Sequence, residues 1–159
     1  SRKVGDQYYA MVSPVMIDAK NPLYSVNGVF NAILIHGNVL GDAMFYGSGA
    51  GKLPTASAVV ADVVDCAKNK GRNIMMSWSG EKLNLLQIDD VKSRFFVRVS
   101  GHAAERQSEI EELFGKVEIV AVPSLSEEFA FITGEITEQE YREKAEKLDG
   151  IQSRIRARI

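Results

Sequence analysis

The best candidate for chemistry is a glycine run, Gly47-Ser48-Gly49-Ala50-Gly51-Lys52, followed closely by Pro54. Glycines let backbone approach a ligand, and a helix starting just after them would aim free N–H groups and its positive dipole end at the turn. A tight strand-to-helix turn that needs glycine only for its dihedral angles explains the same residues. The pair Gly51-Lys52 invites comparison with a phosphate-binding P-loop, whose lysine meets phosphate and whose next hydroxyl holds magnesium. It fails twice: the position five before Gly51 is Tyr46, and Lys52 is followed by Leu53. Lys52 therefore reads as a solvated loop lysine. His36 and His102 are isolated, with no partner at metal-ligand spacing. Cys66 lies in helical sequence with no base near it and reads as a small buried hydrophobe. Arg154, Arg156 and Arg158 alternate along a strand. They read as the solvent side of a sheet, with anion binding as the alternative.

Composition narrows the class of protein. The 159 residues are 45% hydrophobic and 25% charged, enough to bury a core as one ordinary domain or two small ones. A formal net charge of -2 provides no basic footprint for phosphates, so nucleic acid is not an expected partner. A single cysteine excludes an internal disulfide and a cysteine-cluster metal site, and fits a reducing cytoplasm. No apolar run is long enough to span a bilayer, and the first residues lack the shape of a signal peptide. Ser1-Arg2-Lys3-Val4-Gly5-Asp6 has no methionine and leads straight into strand-like sequence, as expected of a piece of a longer protein.

The elements that must position these residues follow from periodicity. Tyr8 to Ile17 reads as a strand broken or edged at Ser13-Pro14, and Asn21-Pro22 as a turn. Val29 to Ile35 and Ala43 to Tyr46 are apolar runs joined by Gly37–Gly41, which predicts an antiparallel hairpin with both strands mostly buried. From Pro54, the residues Ala56, Val59, Val60, Val63, Val64 and Ala67 recur at helical spacing until Gly71. Residues 72–92 lose periodicity and read as a linker that packs on something. Beyond it, strands are expected at Ser93–Ser100, Val117–Val122, Glu128–Ile136 and Ile151–Ile159. Helices fill the gaps, at Ala103–Phe114 and after Thr137, where Glu140 three residues on forms a capping box. In the last strand Ile151, Ser153, Ile155, Ala157 and Ile159 should share one face. The expected fold class is α+β: a mixed or antiparallel sheet segment with a helix over residues 1–71, a linker over 72–92, and a ferredoxin-like βαββαβ domain over 93–159.

Several stretches resemble homoserine dehydrogenase in the same order: Val12-Ser13-Pro14 to Ile17, Asn21-Pro22-Leu23, Val26-Asn27-Gly28-Val29-Phe30-Asn31-Ala32-Ile33, and Phe45 to Gly51 running on through Pro54-Thr55-Ala56-Ser57-Ala58-Val59. The resemblance covers about the first seventy residues, and the glycine run followed by Pro-Thr-Ala-Ser-Ala-Val is far more restrictive than a lone glycine motif. The tail is similar to an ACT domain, which many bacterial homoserine dehydrogenases carry at this position.

The resemblance implies an NAD(P)-dependent oxidoreductase that interconverts L-homoserine and L-aspartate 4-semialdehyde on the route to threonine and methionine. It also implies that the Rossmann domain and the catalytic lysine and acidic residues lie upstream, which leaves this chain inactive by itself. No Gly-x-Gly-x-x-Gly follows a strand here. By the same resemblance Gly49, Gly51 and Thr55 are cofactor-proximal. In ACT domains the turn after the first strand commonly reads Asp-x-Pro-Gly-Val-Leu and exposes backbone to an amino-acid effector such as threonine. Here it reads Ser100-Gly101-His102-Ala103-Ala104, in which Gly101 keeps the turn but proline and the apolar pair are missing. A binding or dimerisation module without catalysis is the alternative reading. The apolar hairpin and the exposed edge of a four-stranded sheet both favour a homo-oligomer.

Overall fold

The computed structural model describes residues 1–72 and 75–159. Two compact units emerge, and they do not follow chain order: residues 19–81 form one, while residues 1–18 join residues 82–159 in the other. The architecture is mixed α and β, with three α-helices among the described residues.

The unit formed by residues 19–81 begins with a 3-10 turn at Pro22–Ser25. Pro22 suits the first turn of a helix, and the Asn21 side chain caps the turn by accepting from the Leu23 N–H at 3.0 Å. Strands β4 (Phe30–Gly37) and β5 (Gly41–Ser48) then pair antiparallel in unbroken register from Phe30 opposite Ser48 to Gly37 opposite Gly41. Phe30 and Tyr46 stack, with ring centroids 5.0 Å apart. Helix α1 (Lys52–Lys68) follows the glycine turn and starts two residues before Pro54. The hairpin and the helix therefore form where periodicity put them.

Their burial differs from the expectation. Ile33 and Phe45 are both 65% exposed, no residue of α1 is buried, and Cys66 is exposed. A periodic apolar pattern selects a helix or strand locally, but burial requires a second surface, and one two-stranded hairpin with one helix supplies too little of it.

In the other unit β1 (Arg2–Val4) and β2 (Gln7–Tyr9) form a short antiparallel pair, and β3 (Val15–Ile17) follows. The single strand expected over Tyr8–Ile17 is thus two strands with different partners, and Pro14, which has no N–H to donate, lies between them. After the 3-10 turn at Ile88–Asp90 come β6 (Lys92–Ser100), α2 (Ala103–Phe114), β7 (Glu118–Val120), β8 (Glu128–Ile132), β9 (Ile136–Thr137), α3 (Glu138–Ala145) and β10 (Ile151–Arg158). The sheet order is β3-β10-β6-β8-β7, with β9 on the start of β6. Every pairing is antiparallel except that of β3 with β10. The strand expected over Glu128–Ile136 is split into β8 and β9. Thr133 lies between them, its hydroxyl accepting from the Phe95 N–H at 2.9 Å and donating to the Gly134 carbonyl at 2.8 Å.

The core combines Phe95, Val97 and Val99 of β6, Phe129 and Phe131 of β8, and Ile110, Phe114, Tyr141 and Leu148 from the helices and the turn after α3. Helix α3 opens on the expected capping box: Thr137 accepts from the Glu140 N–H and Glu140 accepts from the Thr137 N–H. The region expected as a linker, residues 72–92, contributes strand-like contact. The Tyr8 N–H donates to the Asn84 carbonyl at 2.9 Å, the Leu86 N–H donates to the Tyr8 carbonyl at 2.8 Å, and Val91 is buried. Ile74, also assigned to that linker, lies outside the described residues.

The last strand corrects the arginine reading. A register shift between Ile151 and Ser153 places Ile151 opposite Val99 but Arg154 opposite Val97 and Arg156 opposite Phe95. One extra residue exchanges the two faces of a strand, so Arg154 and Arg156 join the side of the helices, while Ile155 moves to the other side with Phe96. There Arg156 donates to Glu138 Oε2 at 2.6 Å, and Arg154 pairs with Glu138 Oε1. The Arg154 guanidinium also lies 4.7 Å from the Tyr141 ring centroid and 5.3 Å from that of Phe95. Burial pushes the Glu138 carboxyl up, but the hydrogen bond and charge of Arg154, with those of Arg156, outweigh it and hold the group below the usual carboxylate range. Burial raises the Tyr141 phenol.

Candidate functional site

Gly49, Gly51 and Thr55 fall together because one turn carries all three. β5 ends at Ser48, and Gly51 is the N-cap of α1 with φ 118° and ψ 158°, a backbone that L side chains rarely adopt. The Thr55 N–H makes the first helical bond, to the Gly51 carbonyl at 3.2 Å. No side chain caps the helix, and its first turn holds no acidic residue. Free N–H groups and the positive dipole end are thus left facing the turn. Gly47, Gly49, Gly51 and Thr55 are all exposed. Lys52 is the first residue of the helix and is also exposed.

The structure adds Asn31, which sequence reasoning missed. Its carboxamide lies against Gly49, so close that a Cβ there would sit 2.0 Å from Asn31 Nδ2. Register could have found it. Counting outward from the Gly37–Gly41 connection places Asn31 opposite Gly47, at the mouth of the glycine run. These residues fit a phosphate-bearing dinucleotide in three respects: glycine backbone without side chains, a helix start free of competing carboxylates, and Gly47 with open space where a Cβ would be.

The other candidates fall elsewhere. His36 Nδ1 is 2.6 Å from Asp42 Oδ1 across the hairpin. Among the described residues no group of three or more His, Cys, Asp or Glu side chains is arranged to hold a metal ion. His102 is the N-cap of α2 and lines a cavity of about 250 Å³ with Gly101, Ala103, Pro123, Glu128 and Phe129. The turn beneath this cavity depends on Gly101, whose φ is 105° and whose N–H donates to the Glu127 carbonyl at 2.8 Å. Arg106 braces the turn by donating to the Ser100 carbonyl at 3.0 Å. No helix among the described residues is long and apolar enough to cross a membrane.

Comparison with known proteins points to one oxidoreductase family. The family model for homoserine dehydrogenase matches residues 1–64. The homoserine dehydrogenase of Lactococcus lactis is 50% identical over 62 residues, 39% of this chain and 14% of that protein. That of Synechocystis is 40% identical over 95 residues, 55% of this chain and 22% of that protein. Among solved structures, a homoserine dehydrogenase from Thiobacillus denitrificans superimposes with a TM-score of 0.69 at 25% identity, covering 92% of this chain and 38% of that one. The S. aureus homoserine dehydrogenase gives 0.64 at 26% identity, covering 92% and 37%. Residues 1–64 are thus similar to homoserine dehydrogenase, and the chain spans less than a quarter of the length of the two curated relatives named.

Proposed function

We propose that the chain is the carboxy-terminal part of a homoserine dehydrogenase, comprising the end of its catalytic domain and an ACT-type regulatory tail. The observation that carries this reading is the family match over residues 1–64 together with an exposed glycine turn at the start of α1. The reaction is the NAD(P)-dependent interconversion of L-homoserine and L-aspartate 4-semialdehyde, in threonine and methionine biosynthesis in the cytoplasm. The nicotinamide cofactor supplies the hydride acceptor when bound. This chain's part is to present Gly49 and Gly51 as side-chain-free backbone beside the cofactor, with Thr55 one turn into the helix. The first N–H groups of α1 compensate negative charge there. The groups that bind homoserine and move its proton belong to the rest of the enzyme, so the chain alone does not catalyse.

The strand order β10-β6-β8-β7 with α2 and α3 supports a ferredoxin-like ACT fold for the tail. The cavity at Gly101 and His102 is where an amino-acid effector such as threonine would sit. The exposed apolar hairpin supports a homo-oligomer.

A chimera tests the reading. Residues 1–64 replace the matching segment of the Lactococcus lactis enzyme, and homoserine-dependent formation of reduced nicotinamide is followed. The chimera should turn over, and Gly47→Val, whose side chain meets open space without a positive φ, should lower activity while leaving the fold intact. A folded but inactive parent chimera would overturn the assignment.

A further inference from the structure

The β4–β5 ladder ends one step before Gly49, because Phe30 opposite Ser48 is its last pair. Gly49 and Ala50 then carry the chain across to Gly51. Within the turn the Ser48 hydroxyl donates to the Ala50 carbonyl at 3.3 Å, and regular bonding resumes when the Thr55 N–H meets the Gly51 carbonyl. Backbone freedom is greatest at glycine, and fixing it there costs the most entropy. A turn of this composition presents a single course of backbone to a ligand only if a group outside it narrows its range.

Asn31 is such a group. It stands opposite Gly47 in the ladder, with Phe30 and Ala32 paired on either side of it, so its backbone is held. Gly47 has open space where a Cβ would be, so no cross-strand side chain meets Asn31 directly. The carboxamide reaches instead to Gly49, the diagonal neighbour. There the point that a Cβ would occupy lies 2.0 Å from Nδ2 and 2.9 Å from both Cγ and Oδ1, well inside any contact distance. The carboxamide thus fills the side-chain position that Gly49 leaves empty. Both residues are exposed, so the contact adds little to global stability and acts locally. We propose that Asn31 is the positioning residue of the glycine turn, bracing the Gly49–Ala50 backbone in one course by occupying the space beside Gly49. Without the carboxamide the two residues are freed, and a ligand must order them on binding, which weakens its hold. That this ligand is the nicotinamide cofactor rests on the function proposed above; the bracing does not.

Backbone amide NMR relaxation on the 159-residue chain reads the bracing without a ligand. The amides of Gly49 and Ala50 should have order parameters of about 0.85 in the parent, and Asn31→Ala should bring them to about 0.6 or below while Ile33 and Phe45 keep theirs. Asn31→Asp, which keeps the shape of the side chain, should leave them rigid. Adding Gly49→Ala to Asn31→Ala should restore much of the order, because a Cβ then narrows the backbone directly. A large fall in the denaturation midpoint of Asn31→Ala would instead assign the residue a structural role. In the active chimera with the Lactococcus lactis enzyme, Asn31→Ala should raise the KM for the nicotinamide cofactor about tenfold, the scale of re-ordering one residue of backbone, and leave the homoserine KM within about twofold. Order parameters unchanged by Asn31→Ala, or reduced ones with an unchanged cofactor KM, would overturn the proposal. An inactive parent chimera overturns the proposed function instead, and relaxation then decides the bracing alone.

Discussion

Replacing Glu138 isolates the part of the tail in which tertiary contacts overrode sequence pattern. The Glu138 side chain is 8% exposed and meets two arginines, Arg156 at 20% exposure and Arg154 at 39%. Removing one member of a fully buried ion pair costs about 3–5 kcal/mol, because the partner charge is left uncompensated. Here both arginines reach solvent, and Arg154 keeps the faces of Tyr141 and Phe95, so Glu138→Ala should cost only about 2–3 kcal/mol. Glu138→Gln preserves shape and one acceptor and should cost about 1–2 kcal/mol. The pH dependence carries a definite sign. The folded-state group is held below its ordinary value of 4.5, so its contribution is fully present above that value and is lost as pH falls through the lower folded value. Urea unfolding of the parent and Glu138→Gln chains at a series of pH values should give a stability gap that is constant near neutrality and narrows in acid. A gap of less than about 0.5 kcal/mol at neutral pH, or one that widens in acid, would refute a stabilising role for the triad.

Cys66 should react fully and quickly with a thiol reagent in the native chain, because the structure exposes it; slow modification that speeds only on unfolding would show a covering surface. Gly49→Ala and Gly51→Ala should differ when their melting is compared. The first meets the movable end of Asn31 and should be relieved by a second change, Asn31→Ala. The second strains a backbone at φ 118° by about 1–3 kcal/mol and should not be relieved, so equal rescue of both would contradict the local geometry. Thr137→Ala should lower stability by about 1 kcal/mol through loss of the α3 cap, measured by denaturant midpoint, and an unchanged midpoint would show that tertiary packing alone sets that helix start.

Local rules fixed much of this protein before any folding is considered. Glycine and proline placed the turn before α1, Thr137 and Glu140 placed the start of α3, and the spacing of Ile110, Leu113 and Phe114 placed α2 against a sheet. The restrictive run from Gly47 to Val59 carried the family resemblance. Each of these depends on residues within one or two turns of each other, where backbone preference and capping act without help. Three matters belonged to the tertiary structure. Burial of the β4–β5 hairpin and α1 requires a partner surface that periodicity cannot supply. The facing of Arg154 and Arg156 turned on a single register shift, because strand side chains alternate with period two and one residue exchanges the faces. The joining of β3 to β10, across more than a hundred residues of chain, is a non-local pairing whose partner no local pattern names.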